Sequence, residues 1–148
     1  MFVRKEFLER IQTEVTGPML EYMTEARIEE FNGEDVARCG EFLEKFVNAL
    51  GDLRWPSDKE ILAQVEQVVV ALNELNEDTD YALIETVERE AIALLIQDAV
   101  VARGLRRVPE DVTEPWRDWK FIPRRKFAGG LVIFSFSGYS QNRKAVKP

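Results

Sequence analysis

Histidine is absent from the 148 residues, and cysteine occurs once, at Cys39. Without histidine the chain lacks the commonest general base, the Ser-His and Cys-His nucleophile pairs, and the commonest zinc ligand. One thiol with no imidazole excludes structural zinc and iron–sulfur centres. It also excludes an internal disulfide, so nothing points to an oxidising compartment. Glycine-rich phosphate loops are missing too, since Gly129-Gly130 follows no strand–helix pattern. No stretch approaches the ~20 apolar residues of a membrane helix; the longest, Ala91 to Ile96, is far too short. Met1 to Glu6 carries Arg4 and Lys5 but no apolar run behind them, which is not the pattern of a secretory signal. These absences predict a cytoplasmic, non-enzymatic protein with no catalytic residue, no cofactor, no metal site and no membrane partner.

What is present is charge of one sign, unevenly spread. Residues 1–119 hold 13 Lys+Arg and 27 Asp+Glu, a net of −14, whereas residues 120–148 hold 7 Lys+Arg and no acid. The split predicts two parts, an acidic helical domain over 1–119 and a basic extension over 120–148. The body should repel nucleic acid and anionic lipid and attract basic surfaces, and the extension should do the opposite.

Apolar periodicity predicts a mainly α fold, a bundle of four to five helices. Val3, Phe7, Ile11 and Val15 share one helical face. Gly17-Pro18 should then break or kink the chain, because proline lacks a donor and restricts the residue before it. Met19, Leu20, Met23, Ile28 and Phe31 continue the pattern less regularly. Asn32 is placed to cap a third segment whose stripe is Val36, Cys39, Leu43, Phe46, Val47 and Leu50, closed by Gly51. Ser57-Asp58-Lys59-Glu60 matches a capping box, in which serine and glutamate satisfy each other's backbone donors. Behind it Ile61, Val65, Val68, Val69, Leu72 and Leu75 run to about Asn76. Residues 76–80 form a polar turn, with Tyr81, Leu83 and Ile84 expected to anchor it against the core. The last long helix should begin at Asp80 or Thr86 and close at Gly104. Its segment Ala91–Ile96 is apolar on nearly all sides, which predicts the central position. Thr113 is placed to cap a short turn carrying Trp116 and Trp119. Beyond it, Phe121–Phe127 and Leu131–Phe136 read as a hairpin-like pair around Gly129-Gly130, followed by an unfolded end from Gln141.

The catalytic option left open is carboxylate-bound magnesium. Glu6/Glu9, Glu41/Glu44, Glu74/Glu77 and Glu85/Glu88 have E-x-x-E spacing, which sets two carboxylates on one helix face. In this they resemble in part the all-helical nucleotide pyrophosphohydrolases of the MazG type. That family adds an E-x-x-D on a neighbouring helix, and the second half is missing here at the required distance. In so acidic a chain these pairs read as solvated helix faces. Cys39, inside an apolar stripe, reads as a buried inert thiol. Trp116 and Trp119 read as core closure, with an aromatic hot spot for a partner as the sharper alternative.

Leu83-Ile84-Glu85-Thr86, Arg89-Glu90, Gly104-Leu105 and Asp111-Val112-Thr113-Glu114 with Trp116-Arg117-Asp118-Trp119 resemble the C-terminal part of small acidic helical bacterial proteins, some of which accompany toxins as immunity proteins. The resemblance covers residues 83–119 and implies a helical scaffold that binds protein, with no catalytic residue carried over. Charge and resemblance together predict a binding module for a basic protein partner. Its expected surface is Glu29, Glu30, Glu34 and Asp35 with Glu74, Glu77, Asp78 and Asp80. The extension could grip nucleic acid through Arg124, Arg125, Lys126, Arg143, Lys144 and Lys147. Coulomb attraction favours the other reading, in which it neutralises the acidic body of its own or a neighbouring chain, and this leaves room for a homo-oligomer.

Overall fold

The structure, a computed structural model, describes residues 1–119. The expected hairpin, the unfolded end and the basic extension lie outside the described residues. The fold is a mainly α bundle of four helical rods. The first rod is composite: α1 (Arg4–Arg10), a π-helical segment (Ile11–Thr16) and α2 (Gly17–Ala26). The others are α3 (Gly33–Asp52), α4 (Asp58–Asp78) and α5 (Thr86–Arg103). None is long and apolar enough to cross a membrane.

Where the sequence predicts a break or kink, at Gly17-Pro18, the chain does not break but changes helical register. Its backbone stays right-handed helical from Arg10 through Thr16 to Gly17. A proline ring would clash with the carbonyl four residues back in an α-helix. Here the wider π register precedes it, with the Gly17 N–H donating to the Gln12 carbonyl five residues back. The Thr16 hydroxyl makes a second five-residue reach, donating to the Ile11 carbonyl at 3.4 Å. Pro18 then occupies the first turn of α2, where its missing donor costs nothing. A Cβ at Gly17 would stand 2.6 Å from the Gln12 oxygen, so this register requires glycine there.

α3 and α5 each touch every other rod, and α3 packs the more extensively of the two; α5, expected at the centre, meets all its neighbours but is not buried on all sides. The apolar run of α5 leaves Val87, Leu94 and Val101 exposed. α3 passes close to the first rod at Gly40, where a Cβ would lie 3.2 Å from Thr16 Cγ2. Its start is capped as expected: Asn32 Oδ1 accepts from the Asp35 N–H, and Asp35 returns the bond to the Asn32 N–H. Its end is not at Gly51. The helix passes through Gly51 to Asp52, and the Arg103 guanidinium closes it by donating to the Leu50 carbonyl at 2.8 Å and to the Leu53 carbonyl. A long-range side chain thus replaces the local glycine cap. Gly51 instead leaves room for the Arg4 guanidinium, which pairs with Asp52 at 3.0 Å.

The Ser57–Glu60 capping box forms as read. α4 runs two residues past Asn76, to Asp78. Asn76 and Thr79 are buried and build the following turn. The Asn76 carbonyl accepts from the Tyr81 N–H and the Thr79 hydroxyl, and its Oδ1 accepts from the Ile84 N–H. Leu83 and Ile84 enter the core, but Tyr81 does not: it is half exposed. α5 begins at Thr86 behind a Glu85–Glu88 capping box and ends at Gly104, whose φ of 109° suits glycine.

The core joins Phe7, Ile11, Val15 and Met19 to the predicted stripes of α3 and α4, to Ile92, Leu95, Ile96, Ala99 and Val100 of α5, and to Val112 and Trp119. Each such aliphatic side chain contributes about 1.5–3 kcal/mol over leaving it in water.

Candidate functional site

Three anchors define one end of the bundle. Arg4 reaches Asp52, Arg103 reaches the end of α3, and the Asp58 carboxylate accepts from the Arg106 and Arg107 N–H groups at 2.8 and 3.1 Å. These gather the start of α1, the α3–α4 connection and the end of α5 at one end. At the other end the start of α3, the end of α4 and the start of α5 come together, and Arg38 of α3 stands 3.9 Å from Asp78 of α4.

All eight acids nominated from the sequence fall at this second end. Glu29, Glu30, Glu34, Glu74, Glu77, Asp78 and Asp80 are exposed, while Asp35 is half-buried and engaged in capping Asn32. Antiparallel packing of α3 and α4 joins two stretches some forty residues apart. Glu25, Glu85, Glu88 and Glu90, which were not nominated, enlarge the set. Residues 25–38 and 74–90 hold twelve carboxylates against Arg27, Arg38 and Arg89.

Tyr81 lies within this charge. Burial pushes its phenol pKa up, and the negative fields of Glu77, Asp118 and Asp80 push it further. Acids from two separate parts of the chain therefore surround one aromatic. Asp80 and Tyr81 both hold left-handed backbone, at φ 60° and 63°. The Asn76 and Thr79 bonds sustain that conformation and present Tyr81 outward. No local pattern marks this arrangement, because the turn is specified by buried polar groups.

The opposite end carries a second feature the sequence did not single out. Trp55 is 95% exposed and holds φ 49°. Arg54, Lys59, Arg106 and Arg107 are exposed on the same end. The tryptophans that were singled out close the structure instead: Trp119 is buried and Trp116 packs against the core. Their segment is held by Asn73, by Gln97 and by a local cluster around Asp111. The Asp111 carboxylate accepts from the Thr113 N–H and hydroxyl and pairs with Arg117 at 2.7 Å. Burial pushes the Asp111 carboxyl up, but the bonds from Thr113 and Arg117 outweigh it and leave its pKa below the ordinary carboxylate range.

Cys39 is buried within α3, and burial pushes its thiol up to about 12. Among the described residues no three cysteine or acidic side chains converge so as to hold a metal ion. Of the E-x-x-E pairs, every carboxylate-bearing residue is exposed except the half-buried Glu88. Comparison with family models, with curated proteins and with solved structures finds no match.

Proposed function

We propose that this chain is a non-enzymatic protein-binding module whose acidic end receives a basic protein. The observation that carries this reading is the convergence of twelve carboxylates from 25–38 and 74–90 on one end, against three arginines. Such a surface accelerates encounter with a basic partner and disfavours acidic ones. Tyr81, half exposed within it, supplies an aromatic contact on a turn held by buried hydrogen bonds. The finer form of the proposal is an immunity-type protein that neutralises a basic toxin or effector. It rests on the resemblance of residues 83–119.

The alternative, a magnesium-dependent nucleotide pyrophosphohydrolase, needs carboxylates from two helices around one cation. Among the described residues no such group is found.

The test is affinity capture from the source cell at low salt, with partners identified by mass spectrometry and then titrated in purified form. The wild-type chain should bind a basic protein in a salt-sensitive manner. A variant carrying Glu30→Lys, Glu34→Lys, Glu77→Lys and Asp80→Lys should lose that binding while keeping its helical spectrum. Equal binding by the variant, no purified basic partner that binds, or magnesium-dependent hydrolysis of a nucleoside triphosphate would each overturn the reading.

A further inference from the structure

α5 carries an apolar line that the described residues leave exposed. Val87, Leu94 and Val101 are spaced seven residues apart and are 72%, 55% and 49% exposed. A seven-residue spacing keeps them in one seam along the helix. Both flanks of the seam are engaged by the chain itself. Asp98 pairs with Arg10 of α1 at 3.0 Å, and Gln97 binds the Pro109 carbonyl and the Val112 N–H. The seam therefore lies open between the first rod and the 105–112 segment. This is the same helix whose apolar character on nearly all sides called for burial on nearly all sides.

We propose that the seam is the interface of a two-fold symmetric dimer in which α5 packs antiparallel against α5 of a second copy. The pattern is palindromic about Leu94, with valine seven residues before and seven after. A two-fold axis at Leu94 sets Leu94 against its own equivalent and Val87 against Val101 of the partner subunit. Charge decides the orientation. The start of α5 carries Glu85 and Glu88, and Arg106 and Arg107 follow its end. Parallel pairing sets like charges together at both ends. Antiparallel pairing sets the acidic start of each helix against the arginines of the other, and it opposes the two helix dipoles favourably. Such a contact is isologous and closed, which is the commonest form of homo-oligomer. The seam is narrow and about 21 Å long from Val87 to Val101, fourteen residue steps at about 1.5 Å each. A contact through one helix per subunit falls at the small end of specific interfaces. The two readings share Glu85 and Glu88 but fail separately, since Leu94 and Val101 lie outside the acidic surface and the charge-reversal variant leaves Glu85 and Glu88 in place.

Sedimentation velocity of the full chain over a concentration series should show a monomer–dimer equilibrium. Leu94→Arg should weaken it at least tenfold. At concentrations where the wild type is monomeric, that variant should keep the wild-type helical spectrum and melting midpoint, because Leu94 is exposed. Register is read by oxidative cross-linking with copper–phenanthroline, against a native background of one buried thiol at Cys39. Leu94→Cys should cross-link to itself. Val87→Cys and Val101→Cys should each fail alone and cross-link when mixed. A monomer at every concentration, including one whose seam is covered by its own residues 120–148, overturns the proposal. So does self-cross-linking of Val87→Cys, which reports a parallel pair.

Discussion

The side-chain amide of Asn73 brackets the backbone of the Trp116 segment. Its Nδ2 donates to the Trp116 carbonyl at 2.8 Å and its Oδ1 accepts from the Asp118 N–H at 2.9 Å. Gln97 on α5 does the same one turn of chain earlier, donating to the Pro109 carbonyl and accepting from the Val112 N–H. Two amides, each using both its donor and its acceptor, thus fasten an irregular segment to two helices and seat Trp119 in the core. Asn73→Ala leaves the half-buried Trp116 carbonyl without its partner, while the Asp118 N–H lies at an exposed position. The expected loss is about 2 kcal/mol, read from the urea midpoint, with a red shift in tryptophan emission. A loss under ~0.5 kcal/mol would show that water replaces the amide at no cost.

Gly17→Ala separates the π register from an ordinary helix. Gly17 has helical φ, so alanine there would normally stabilise by up to about 1 kcal/mol. The added Cβ would instead meet the Gln12 carbonyl oxygen at 2.6 Å, and that oxygen is backbone. The expected result is destabilisation by roughly 1–3 kcal/mol, measured by thermal unfolding. Stabilisation would mean that the segment relaxes to an α register.

Acid should loosen the C-terminal segment through Asp111. Its folded pKa is depressed, so it contributes stability above its unfolded value of about 3.9. That contribution is lost as pH falls through the folded pKa. Below about pH 4 the advantage of the wild type over Asp111→Asn should therefore shrink. A gap that stays constant from neutral pH down to strongly acidic pH would remove the Arg117 and Thr113 bonds from the account.

Trp55 makes no demand on folding. Replacing it by glycine relieves a left-handed backbone and removes an exposed indole, so stability should hold or rise by up to about 1 kcal/mol. Urea unfolding measures this. A loss beyond ~1 kcal/mol would show that the ring packs. Because Trp116 is half-buried and Trp119 buried, Trp55 should also account for most of the iodide-quenchable emission of the described tryptophans.

The helices and their inward faces were legible in the residues because periodicity is local: the α3 and α4 stripes, the Ser57–Glu60 box and the Gly104 terminus all stand where the pattern put them. The acidic surface was half legible, since the sequence supplies the charge but not the antiparallel packing that unites 25–38 with 74–90. The glycine cap at Gly51 and the anchoring of Tyr81 do not form, and at Pro18 the chain changes register without breaking. In each case a distant or five-residue contact replaced the local rule: Arg103 on the Leu50 carbonyl, Gly17 on the Gln12 carbonyl, Asn76 on the 81–84 backbone.

Composition and hydrophobic spacing by themselves determined that this chain buries helical stripes and leaves an excess of carboxylates in water. Only the tertiary structure decided which helix packs most extensively, which end collects the charge, and that the described residues leave Trp55 and the Leu94 seam exposed. The physical reason is range. Burial and capping act over a few residues and are written in the spacing, whereas the meeting of two faces depends on which rods pack together, and that is a property of the whole chain.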